Sequence, residues 1–83
     1  MTGVPKDYGR LSSKCEDRVK SGPKCEDNRA IRGYVSCFTF KLVLDDMRKD
    51  GVTPSSMKDI LTYSSYKQRI NEAWSEVRKQ CGG

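Results

Sequence analysis

Nearly all the large apolar side chains of this chain lie from Ile31 onward, so any core must be built from the last two thirds of the sequence. Before Ile31 the apolar content is little more than Val4, Tyr8, Leu11 and Val19, set among Pro5, Gly9, Ser12, Ser13, Ser21, Gly22 and Pro23. That is the chemistry of loops, which break periodic structure by removing a backbone donor or widening backbone freedom. The expected organisation is a polar, cysteine-containing arm over residues 1–30 and a helical domain over 31–83.

With 83 residues the chain forms one domain at most, and a domain of this size buries only about 60% of its unfolded surface. Hydrophobic residues make up 35% and charged residues 33%, a lean balance that favours a second stabilising device such as disulfides, a metal or a partner.

Three periodic segments follow the arm. From Tyr34 to Asp50, Cys37, Phe40, Leu44 and Met47 recur at helical spacing, with Phe38 and Leu42 widening the stripe. Arg48 and Lys49 suit the negative end of a helix dipole, and Gly51 can take a left-handed cap. A strand over 34–44 competes, because Val35, Phe38, Thr39, Phe40 and Val43 favour extended backbone. Helix is preferred because no second strand is available to pair with it. Thr53-Pro54 reads as a helix start, followed by a short segment with Met57, Ile60 and Leu61 on one side. The last helix begins near Ser64 or Ser65 and carries a stripe of Tyr66, Ile70, Ala73, Trp74, Val77 and Cys81. The expected fold is therefore all-α: a small three-helix domain preceded by a polar, loop-rich arm. Its expected core is Phe38, Phe40, Leu44, Met47, Ile60, Leu61, Ile70, Trp74 and Val77. Such a core is thin, which makes self-association or burial against a partner an expectation.

Lys-Cys-Glu-Asp occurs twice, at 14–17 and 24–27, with Ser21-Gly22-Pro23 between the copies. The four cysteines, Cys15, Cys25, Cys37 and Cys81, include no pair two to four residues apart, and the chain has no histidine. A zinc knuckle needs such close pairs, so no metal is expected. An even cysteine count in a short chain suits disulfides. Three pairings are open, one of which joins Cys15 to Cys25 and Cys37 to Cys81. Buried thiols in a reducing compartment are the alternative. The sequence assigns no compartment, cytoplasmic or secreted following the redox state of these cysteines.

Catalysis has little to draw on. Without histidine the usual general base is missing, and the carboxylate pairs Glu16-Asp17, Glu26-Asp27 and Asp45-Asp46 are sequence neighbours that point apart. No enzyme activity and no cofactor are expected. The 16 Lys and Arg against 11 Asp and Glu give a net charge of +5. The excess is spread over both halves, with eight basic and five acidic residues in 1–36 and eight and six in 37–83. Cations of the arm, Arg10, Lys14, Arg18, Lys20, Lys24, Arg29 and Arg32, are the candidate contacts for a macromolecular partner, protein or nucleic acid. The interleaved Glu and Asp weaken the nucleic-acid option by cancelling the field a phosphate would feel. No apolar run approaches the roughly 20 residues that span a bilayer, and the first residues lack the charged-then-apolar pattern of a secretion signal.

Residues 50–61, with Gly51-Val52-Thr53 before a short apolar helix, resemble the turn and second helix of helix-turn-helix regulators. The resemblance implies that Ser64, Ser65, Lys67, Gln68 and Arg69 open a recognition helix. The pattern departs at Lys58, where a small residue is usual, and at Thr62-Tyr63-Ser64, where a glycine is common. A short helix, a turn and a longer helix in a small bundle account for the same residues and are preferred. The expected function is that of a small, non-enzymatic basic binding or regulatory module acting on a protein or nucleic acid, with a secreted, disulfide-stapled helical effector or ligand as the alternative.

Overall fold

The structure is a computed structural model that describes residues 11–82. Four helices occupy them: α1 (Ser13–Ser21), α2 (Asn28–Lys49), α3 (Met57–Thr62) and α4 (Tyr66–Cys81), with no strand among the described residues. The fold is all-α, and the segment 34–44 lies inside α2 as helix.

The two copies of Lys-Cys-Glu-Asp fold differently, and their flanks decide which way. Ser12 precedes the first copy and its hydroxyl accepts from the Cys15 amide at 3.3 Å, so residues 14–17 become the first turn of α1. Pro23 precedes the second copy, which forms a turn instead. Its last residue, Asp27, caps α2 by accepting from the amides of Arg29 (3.0 Å) and Ala30 (3.4 Å). The arm expected to be loop-rich therefore contains a helix, and the expected boundary between residues 30 and 31 falls inside α2.

At its far end α2 stops as the sequence reads. Gly51 takes φ 76°, its amide donates to the Arg48 carbonyl at 3.0 Å, and the Val52 amide donates to Met47 at 2.7 Å. These two bonds form a Schellman closure. The expected start of α3 at Thr53-Pro54 shifts to Ser56, and Pro54 is buried ahead of the helix. Asp59 takes over the capping role, accepting from the Ser55 amide (2.9 Å) and hydroxyl (2.6 Å).

α2 is the axis of the molecule, with α1, α3 and α4 each packed against it. One cluster joins Tyr34 and Val35 to Ala73 and Val77, with Ile31, Phe38 and Cys81 at its edge. A second joins Val43, Leu44 and Met47 to Ile60, with Leu11, Phe40, Tyr63 and Tyr66 around it. Two expected core residues lie outside: Leu61 is 47% and Trp74 37% exposed. Val43 and Ala73, absent from the expected core, are fully buried.

Thr39 is the one buried polar residue in the core of the described chain, at 1% exposure, and its hydroxyl oxygen has no hydrogen-bond partner. A buried hydroxyl without a partner costs about 1–3 kcal/mol. Thr39→Val keeps the shape and removes that cost, so it is expected to raise the urea midpoint by the equivalent of about 1 kcal/mol. A lower midpoint would mean that the hydroxyl is satisfied.

Candidate functional site

The four cysteines form two bonds, Cys15–Cys37 with Cα atoms 5.1 Å apart and Cys25–Cys81 with Cα atoms 5.6 Å apart. The pairing of Cys15 with Cys25 and Cys37 with Cys81 is not the one adopted. With residues 15–21 helical, the chain runs about 9 Å along α1 away from Cys15, and the turn that follows carries Cys25 to the last residue of α4. Cys15 instead faces α2, where Cys37 is 6% exposed. The second bond ties the turn before α2 to the last residue of α4. The two bonds cross in sequence order, so each closes a loop containing one end of the other.

The candidate cations do not converge on one surface. Arg10 lies outside the described residues. Arg18 and Lys24 line an open cleft of about 220 Å³ with Asp17, Ser21, Gly22, Ala30 and Tyr34. The Arg18 guanidinium rests where a Cβ on Gly33 would stand, so this glycine lets α1 and its arginine lie close to α2. Lys20 is in a different groove, with Leu11, Glu16, Val19 and Lys41. Lys14 is exposed on α1, and Arg29 and Arg32 are exposed on α2. At about 100° per residue, Arg29 and Arg32 are turned well away from Ala30 and Tyr34 of the cleft.

Tyr34, 3% exposed, is the titratable group nearest the core at this cleft. Burial raises its phenol above the ordinary value, the Glu76 carboxylate adds to that, and a hydrogen bond with Gln80 opposes both. The phenol is therefore neutral at physiological pH and is no nucleophile. Among the described residues no three His, Cys, Asp or Glu side chains are grouped so as to hold a metal ion.

The strongest polar constellation joins α2 to α4. Arg69 donates from Nε to Asp46 Oδ2 at 2.7 Å and from Nη2 to Asp46 Oδ1 at 2.8 Å. Its Nη1 donates to both oxygens of Glu72, at 2.7 and 2.8 Å. Such a two-pronged fork is the strong form of an ion pair, and it commits to the fold the arginine that the helix-turn-helix resemblance would place at a groove. Tyr63 plays a similar part, donating its hydroxyl to Asp50 at the end of α2.

The Arg69 hydrogen bonds hold the Asp46 carboxyl below the usual carboxylate range against an opposing effect of burial. A lowered folded-state pKa contributes stability that is present above the unfolded value, about 3.9, and is lost as pH falls through the folded one. Asp46→Asn is thus expected to cost about 1–2 kcal/mol at pH 6. The difference from the parent should close towards pH 2, in urea melts run across that range. A pH-independent difference would place the effect in packing rather than charge.

Trp74, expected in the core, faces solvent on α4 between Lys67 and Arg78. Its 100° offset from Ala73, the buried residue beside it, is the signal that places it at the edge of the stripe.

No family model matches the chain, and no curated protein or solved structure is significantly similar to it.

Proposed function

We propose that this chain is a non-catalytic, disulfide-stapled helical ligand or effector that works in an oxidising compartment by binding a macromolecular partner. The observation that carries the reading is the use of all four cysteines in two crossed links, which leaves no free thiol. Structural disulfides persist in secreted and extracytoplasmic proteins and are rare in a reducing cytosol. A thin core supplemented by covalent links is how small secreted domains reach useful stability.

A protein partner is favoured over nucleic acid by the distribution of charge. Arg18 shares its cleft with Asp17, Lys20 shares its groove with Glu16, and Arg29 and Arg32 lie on another side. Affinity for a phosphate backbone grows with the number of cations presented together, and here they are divided among separate surfaces.

The test is an intact mass before and after alkylation, on protein isolated without reductant from the cells that make it. No alkylated thiol is the expected result. Four alkylated thiols would contradict the reading. Among the described residues no helix is long and apolar enough to cross a membrane.

A further inference from the structure

Trp74 poses a physical question, because an indole is costly to leave in water and this one is 37% exposed in a chain with little apolar surface to spare. Its surroundings answer it. Lys67, Asn71, Trp74 and Arg78 recur at spacings of four, three and four residues, so they line one face of α4, and all four are exposed. The acidic residues of α4 lie elsewhere. Glu72 and Glu76 are each about 160° around the helix from Trp74, Glu72 is held by Arg69, and Glu76 accepts from Gln80 at 2.9 Å. Neither Lys67 nor Arg78 has an ion pair among the described residues. The face is therefore an aromatic centre with a cation on each side and no acid of α4 beside them.

It is also rigid. Ala73 and Val77 seat α4 on α2 at 0% and 6% exposure, and Cys81 fixes the end of the helix to Cys25. A preformed surface loses little freedom on binding, and Trp and Arg are the residues that most often dominate binding energy.

We infer that the outward face of α4, centred on Trp74 between Lys67 and Arg78, docks an acidic segment of a protein partner that lays an apolar side chain on the indole. This rests on the reading of the chain as a binding protein and names the surface it uses. Charge complementarity selects the occupant. Two cations separated by about 16 Å of helix match carboxylates placed on either side of an apolar anchor. They are too few for a phosphate track, whose affinity scales with the number of neutralised charges. A bilayer would need more than one exposed apolar side chain on this face.

Trp74 is the sole tryptophan of the chain and reports on its own burial by fluorescence. The disulfide-intact protein is titrated with four probes: an amphipathic peptide of Glu and Leu, the same peptide with Lys for Glu, oligothymidylate, and vesicles one third phosphatidylserine. The Glu peptide is expected to shift the emission to the blue. The double variant Lys67→Glu, Arg78→Glu should weaken that response by about tenfold or more, as expected when attraction becomes repulsion at both flanks. Its melting temperature should fall by no more than about 8 °C, the cost of a reversed charge in the last turn of α4, and titration well below that temperature separates lost docking from lost folding. No shift with the Glu peptide up to millimolar concentration overturns the proposal, as does an equal shift with the Lys peptide, or a shift with oligothymidylate or vesicles alone. The thiol count fails independently: four free thiols with an intact peptide response would remove the stapled-ligand reading and leave the docking face standing.

Discussion

Serine in place of Cys25 and Cys81 is expected to lower the unfolding free energy by about 4 kcal/mol, as chain entropy predicts for a long closed loop. The two residues are 56 positions apart, so their bond restricts most of the unfolded chain. Cys15–Cys37, with a separation of 22, restricts less, worth about 3 kcal/mol on the same footing. A domain of this length has a total stability of roughly 4–12 kcal/mol, so one staple is a large share of the whole. Cys25 is exposed and Cys81 only half-buried, so serine at these positions adds little desolvation cost and the measured loss reports the link itself. At about 4–8 °C per kcal/mol for a domain this small, the melting temperature should fall by some 15–30 °C. Unfolding in urea without reductant gives the free energy. A midpoint within error of the parent would show that the bond constrains nothing.

Met47→Ala has the second largest expected effect, a loss of about 3 kcal/mol within the 2–5 kcal/mol range of such core truncations. Met47 is the largest fully buried side chain of the described residues, and it packs with Val43 and Leu44 against Ile60 of α3. α3 is a helix of 6 residues, too short to hold itself together in water, so its place depends on this cluster. The neighbouring comparison is Leu61→Ala. Leu61 is 47% exposed, and its truncation should change stability by no more than about 0.5 kcal/mol. Equal losses at the two positions would contradict a core in which Met47 is buried against α3 while Leu61 faces outward.

Which parts of this fold are legible in the sequence follows from where each helix gets its stability. The end of α2 is local chemistry, Arg48-Lys49 and then Gly51, and both its position and its closure can be read directly. The interior of α2 is harder. Three helices pack around it, so Tyr34, Val35, Val43 and Leu44 are buried on different sides, and a helix covered on several sides loses the single stripe that distinguishes it from a strand. α1 has only Cys15 and Val19 to bury. Ser12 caps it locally, but its docking uses Cys37 and Gly33 of α2, contacts 15 to 22 residues away that no local pattern contains.

The candidate site divides in the same way. The cysteines are visible as residues, but their pairing depends on how α1 and α4 pack on α2, which no local pattern contains. The arm cations are visible too, yet their dispersal depends on which sides of α1 and α2 they occupy. Trp74 fits the apolar stripe of α4, but the stripe is wider than the strip α2 can cover. Ala73 and Val77 pack against Tyr34 and Val35, so the helices meet on their side and leave the indole 37% exposed.

The crossed staples are the central claim, and the sequence lends itself to a direct test. Trypsin cleavage after Lys and Arg places the four cysteines on four separate peptides, 15–18, 25–29, 33–41 and 80–83. Digestion of the unreduced protein followed by mass spectrometry of the linked peptides is predicted to give 15–18 joined to 33–41 and 25–29 joined to 80–83. Recovery of 15–18 joined to 25–29, or of all four peptides unlinked, would contradict the account.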